Sequence, residues 1–348
     1  MAAIPAESLA SRNDALTAAV TEAAAQCRES RSVGDLVRLR DLRVKAGAEL
    51  AGLPDTAWTA ERPVPPDLFP ESHGSIPEVD LRALSIETLQ SAMHHHGALI
   101  VRNMLGPRAA HAYRQDIDRV IEAAAAYYAL IDEKQPDTRP TAVKADYLPF
   151  SDNAGMLERL HHRFVGKSGA IETLLSPSFS MQLFDEFERL GLRAMLQAYF
   201  GDEACVSFNK CVLRRTEPLT YPADWHQDGA FMTKGIQSLN LWIALSECGR
   251  GTDSPGMDLV PRRLNEVVKT GENGAIFKWS VSSATVAEEF PDLAPTQPYF
   301  GAGDAIFFDH FNLHCTSSGE AFTETRYAIE NWFFAKGRAA TNQYPVFW

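Results

Sequence analysis

The sequence predicts an α+β protein: helices first, then a β-rich half folded as a jelly-roll type of β-sandwich or barrel. Two observations predict it. Up to Gly201, apolar residues recur mainly at helical spacing. From Cys205 onward they gather instead in short β-like runs divided by Gly, Pro and Asp turns. No internal repeat or low-complexity tract points to another architecture.

The elements follow in order. Ala, Leu and Val at helical spacing in 8–27 and 33–50 predict two helices, an N-terminal extension over 1–60 beside a main domain over 61–348. Pro54, Pro63, Pro65, Pro66, Pro70 and Pro77 then exclude regular helix and predict an extended crossing segment. A helix over 85–96 stops at Gly97, and 98–102 reads as a buried strand. A helix over 107–128 precedes an irregular region through Gly169, and another over 178–200 ends at Gly201. Strands are expected over 206–215, 237–245, 257–260, 305–308 and 326–334.

Charge and cysteines narrow the partners. A formal net charge of −12 argues against a nucleic-acid or anionic-membrane surface. No apolar run approaches the roughly 20 residues of a membrane helix. The Ala-rich start is interrupted by Glu7, Arg12, Asp14 and Glu22, unlike a signal peptide. Five cysteines, odd in number and without close-paired spacing, suit a reduced cytoplasmic protein. The expected partner is a small-molecule substrate, with no nucleic acid and no membrane; oligomeric state is not legible.

The most informative stretch is Trp225-His226-Gln227-Asp228-Gly229. On a strand, residues i and i+2 project to one side, so His226 and Asp228 can grip one metal ion. A third ligand is available at His314, with His310 its competitor in the same run. Two imidazoles and one carboxylate leave coordination positions open, the pattern of non-heme Fe(II) oxygenases. Arg326, twelve residues beyond His314 on the next strand, suits the far carboxylate of a keto acid. No Gly-x-Ser-x-Gly elbow and no glycine-rich nucleotide fingerprint is present. His94-His95-His96 at a helix end is explained by the helix dipole, whereas His161-His162 and Arg163 are candidate substrate contacts.

These residues resemble the phytanoyl-CoA dioxygenase family of Fe(II)/2-oxoglutarate-dependent oxygenases. The resemblance spans about 79–334. It rests on 225–229, Leu241-Trp242-Ile243-Ala244-Leu245, Gly303-Asp304, Phe308-Asp309, His314 and Arg326, with 97–102 similar to the family's opening strand. It implies a double-stranded β-helix (jelly-roll, cupin-like) core with flanking N-terminal helices. It also implies that His226, Asp228 and His314 bind iron, since His314 rather than His310 takes the family's place after Gly303-Asp304. Arg326 would pair with the 5-carboxylate of 2-oxoglutarate, aided by Thr316, with Trp242 and Gln227 supporting. The implied cofactors are Fe(II), 2-oxoglutarate and O₂. The implied reaction hydroxylates or otherwise oxidises a C–H bond of a small organic molecule, as in secondary-metabolite tailoring, releasing succinate and CO₂. Asp228 sets the chain apart from halogenating relatives, which carry a small residue there.

The chain departs from the family at Pro261-Arg262-Arg263-Leu264, where many members have Pro-Gly-Ser-His. Those arginines either meet an anionic substrate group or stand in solvent. Phe231, Phe300, Phe307 and Trp332 permit a substrate with an apolar body and equally suit a barrel core. Two other readings stay open: a cupin-like metal enzyme that does not use 2-oxoglutarate, and a non-catalytic binding protein of the same fold.

Overall fold

A computed structural model describes residues 6–51, 63–132, 146–149, 169–218 and 224–348. His161, His162 and Arg163 lie outside the described residues. Seven helices are described: α1 (Ala6–Ser30), α2 (Val33–Ala51), α3 (Ile86–His95), α4 (Pro107–Asp132), α5 (Pro177–Arg189), α6 (Leu192–Phe200) and α7 (Ser283–Glu289). Local chemistry sets their ends. Ser85 and Thr88 form a reciprocal capping box on α3, and Gly97 stops it at φ +81°. The single helix expected over 178–200 is two, because Gly191 adopts φ +71° and turns the chain between α5 and α6.

The strands are β1 (Glu78–Asp80), β2 (Ala98–Arg102), β3 (Ala170–Glu172), β4 (Ala204–Ser207), β5 (Val212–Thr216), β6 (Trp225–His226), β7 (Ser238–Ala244) and β8 (Cys248–Gly249). They continue with β9 (Met257–Leu259), β10 (Ser280–Val281), β11 (Tyr299–Phe300), β12 (Ala305–Phe308), β13 (His314–Thr316), β14 (Arg326–Ala335) and β15 (Pro345–Val346). A nine-stranded sheet runs β1-β2-β12-β7-β14-β4-β15, with β5 also on β14 and β3 on β5. A four-stranded sheet runs β10-β6-β13-β9, and β11 pairs β8. The protein is a mixed α/β fold. The strand expected over 206–215 is β4 and β5, separated by a turn.

Alternation along the large sheet sorts its side chains into two cores. Leu99, Val101, Leu213, Leu241, Ile243, Phe307, Ile329 and Phe333 pack with Leu89, Ile117, Phe179 and Leu196 of the helical layer. The intervening residues Ile100, Trp242, Ile306, Phe308, Ala328, Trp332 and Phe334 face the small sheet and meet Met257 and Leu259. Behind the small sheet, Trp225, Val260, Val281, Leu313 and Cys315 pack with Val286 and Phe290 on and beside α7. The layers are therefore helices, large sheet, small sheet, and a thin outer cover. The hairpin α1–α2 packs on Met181 and Phe347, and the Phe347 N–H donates to Arg43 O at 3.0 Å.

Gly303 shows why the Gly-Asp pair precedes β12. A Cβ there would meet Leu105 O at 2.1 Å, and its φ is +100°. Asp304 then accepts from Arg102 Nη1 at 2.7 Å and from Asn103 N at 2.9 Å, locking β12 to the end of β2. All five cysteines are free and buried. Among the described residues, no helix is long and apolar enough to cross a membrane.

Candidate active site

Strand pairing builds the site. His226 on β6 lies directly opposite His314 on β13, which brings the ring centroids to 4.4 Å. The extended backbone of Gln227 carries Asp228 to the same side before the chain turns. Ligand atoms of His226, Asp228 and His314 all lie within 4.8 Å of one another, with His314 Nε2 3.8 Å from Asp228 Oδ2. His314 Nδ1 donates to Asn312 O at 3.1 Å, which leaves Nε2 as the free lone pair. His310 is elsewhere, with Nδ1 2.8 Å from Ser238 Oγ. A Cβ at Gly229 would come within 3.0 Å of that imidazole and of the His310 carbonyl, which explains the small residue after Asp228.

Charge at the three residues follows from burial and neighbours. Burial, reinforced by His314, pushes the His226 imidazole down to about 3. Burial also lowers His314. Both rings are thus neutral at pH 7 and ready to coordinate. Burial alone would raise the Asp228 carboxyl, but the Lys210 ammonium and the two imidazoles overcome it and hold it at about 2. Lys210 Nζ donates to Asp228 Oδ1 at 2.9 Å.

The three residues open onto a cavity of about 360 Å³ between the two sheets, which Trp242, Thr316 and Arg326 also line. Arg326 is 3 % exposed. Its Nη1 donates to Gly256 O at 2.7 Å and its Nη2 reaches Thr216 Oγ1 at 3.4 Å, while Nε has no partner. Burial pushes its guanidinium down to about 10, so it remains charged at neutral pH. The group lies 5.6 Å from the Trp242 ring centroid, and Trp242 also packs on Phe300 at 5.1 Å. Thr316 stands two residues past His314 on β13, on the cavity side.

Gln227 is not among the residues that line the cavity. Its side-chain amide donates to Glu266 O and Phe311 O and accepts from Val268 N, tying down the loop after β9. Arg263 in that loop pairs with Asp309, and neither Arg262 nor Arg263 lines the cavity. Phe300, Phe307 and Trp332 are core residues, and Phe231 contacts Lys210 and Trp279. Instead, much of the remaining lining is charged: Lys210, Arg214, Glu172 and Glu330 contribute to it with Asn209, and Trp279 is a further aromatic. Arg214 Nε donates to Glu330 Oε2 at 2.6 Å, and Trp332 Nε1 donates to Glu330 Oε1 at 3.2 Å. The signal missed in the sequence is the alternation Val212-x-Arg214-x-Thr216 on β5, which puts these three on one strand face, with Lys210 in the turn just before it.

No family model matches this sequence, and no curated protein matches it. Solved structures do align with it. One is the non-heme alpha ketoglutarate dependent carbocyclase SnoK from nogalamycin biosynthesis, at 14 % identity and a TM-score of 0.47, covering 74 % of this chain and 86 % of that one. Another is EctD from S. alaskensis with 2-oxoglutarate and 5-hydroxyectoine, at 15 % identity and 0.45, covering 83 % and 88 %. A third is the epimerase SnoN in complex with Fe3+, alpha ketoglutarate and nogalamycin RO, at 16 % identity and 0.38, covering 72 % and 83 %. At TM-scores below 0.5, the chemistry of this chain has to be read from its own side chains.

Proposed function

We propose that this protein is an Fe(II)- and 2-oxoglutarate-dependent dioxygenase of the phytanoyl-CoA dioxygenase type, built on a double-stranded β-helix over 61–348 with a helical extension over 1–60. The observation that carries the reading is one cavity holding two features together. The first is a converged His226-Asp228-His314 set. The second is a buried arginine whose Nε is left without a partner.

The residues fit both groups. Two neutral imidazoles and one ionised carboxylate are the donors an open Fe(II) site uses. The orphaned donor of Arg326 fits the far carboxylate of a keto acid, because a buried charge without a full set of acceptors is costly until an anion meets it. When bound, iron with 2-oxoglutarate and O₂ supplies an oxidant able to attack a C–H bond, with succinate and CO₂ as co-products. His226, Asp228 and His314 would hold the metal. Arg326 anchors the cosubstrate, and Thr316 and Trp242 line the route between them. The apolar layer of Trp242, Phe308 and Met257 limits water beside the metal. The charged lining of Lys210, Arg214 and Glu330 suits a small organic substrate with polar groups rather than an all-apolar body.

The test is succinate formation from 2-oxoglutarate with Fe(II), ascorbate and O₂, comparing the wild-type protein with Asp228→Ala and Arg326→Ala. Uncoupled turnover needs no knowledge of the substrate. Iron-dependent succinate abolished by both substitutions supports the assignment. No succinate, with no 2-oxoglutarate binding to the iron-loaded protein, would leave a metal site of another kind.

A further inference from the structure

We propose that Lys210 is a positioning residue of the metal centre: it restricts Asp228 to one coordinating oxygen and keeps the Fe(III)/Fe(II) potential high. This rests on the iron reading above and adds to it a residue outside the ligand set. The two carboxylate oxygens of Asp228 have different neighbours. Oδ2 faces His314 Nε2 at 3.8 Å, whereas Oδ1 takes the Lys210 ammonium at 2.9 Å. Lys210 is held at its backbone as well as at its side chain. Its backbone N–H donates to Ser207 Oγ at 3.2 Å, and its carbonyl accepts from Trp332 N at 3.3 Å. Nζ also lies 4.5 Å from the centre of the Phe231 ring. Glu330, the nearby alternative acceptor, is occupied by Arg214 and Trp332.

Two consequences follow. An oxygen held by a charge-assisted hydrogen bond is not free to chelate, so Asp228 takes one coordination position and leaves others open. A fixed positive charge beside the ligand also opposes a trivalent ion more than a divalent one, so it favours the reduced metal. Partners of this kind orient ligands and tune the ion without touching it.

The experiment is a mediated redox titration of the iron-loaded full chain, without substrate, for wild type, Lys210→Met, Lys210→Gln and Lys210→Arg. Iron stoichiometry and circular dichroism are measured on the same samples. The neutral variants should hold iron yet favour Fe(III) over Fe(II) at least tenfold more than wild type. For a one-electron couple, that is a potential lower by about 59 mV or more. Lys210→Arg, which keeps the charge and the donor, should stay near wild type. If Lys210→Met fails to fold, Lys210→Gln provides the same comparison. Folded, iron-loaded neutral variants with an unchanged or raised potential would overturn the role of Lys210 while leaving the iron site standing. A wild-type protein that holds no iron would overturn both.

Discussion

The cavity holds two kinds of cation, treated oppositely. Arg326 is buried with a carbonyl and a distant hydroxyl as its partners, and one donor is left over. The other two cations each meet a carboxylate: Lys210 holds Asp228 and Arg214 holds Glu330. A buried charge with no counter-charge is a cost that folding alone does not justify, so it marks where a charged ligand belongs. Paired charges mark where geometry is being set.

Removing a convergence residue should have the largest effect. Asp228→Ala or His314→Ala should weaken Fe(II) binding beyond the ~10–100-fold that loss of an outer partner costs. Calorimetric metal titration under anaerobic conditions reads this directly, and near-normal binding by either variant would remove the ligand set.

Arg326→Met comes next and separates function from stability. Binding of 2-oxoglutarate should lose roughly 2–5 kcal/mol. The apoprotein should be as stable as wild type within about 1 kcal/mol, or more stable, because an apolar replacement of a buried charge is often neutral or better. Gly256 O keeps a second donor, Ser317 N at 3.2 Å, so the truncation leaves no orphaned carbonyl. Denaturant unfolding checks the second half.

Glu330→Gln should behave in the reverse way. It breaks the pair with Arg214, a side chain 27 % exposed, so solvent screening limits the loss of stability to roughly 1–2 kcal/mol. Its affinity for 2-oxoglutarate should stay within about threefold of wild type, since Glu330 bonds Arg214 and Trp332 and not Arg326.

The smallest effect is in pH, over the step from 7 to 6. His226 is lowered to about 3 in the folded chain, against about 6.5 when unfolded. The unfolded state therefore binds more protons between those values, so stability is complete above pH 6.5 and falls as pH drops toward 3. At pH 6 the loss relative to pH 7 should be about 0.7 kcal/mol, steepening to at most about 1.4 kcal/mol per pH unit. His226→Asn should flatten that part of the apoprotein's stability curve, measured by denaturant unfolding from pH 7 to 4.

What could be read from the sequence follows the range of the interactions. His226 and Asp228 were legible because strand alternation is local, and β2 and β12 match their expected bounds because short apolar runs with clear turns are unambiguous. The choice of His314 over His310 was borrowed from a resemblance; its physical cause is the β6–β13 register, a pairing across 88 residues that no local pattern reveals. Lys210 was hidden because 206–215 reads as one continuous strand. In the structure the chain turns between β4 and β5, and that turn delivers Lys210 to Asp228. Gln227 illustrates the converse: it lies inside the most informative motif, yet it anchors the loop after β9 from behind the site.

The most direct measurement is anaerobic calorimetry of 2-oxoglutarate binding to iron-loaded wild type, Arg326→Met and Glu330→Gln. Wild type and Glu330→Gln should bind alike, and Arg326→Met should lose nearly all affinity. Equal binding by wild type and Arg326→Met, or no binding by wild type, would contradict the assignment of Arg326 as the cosubstrate anchor.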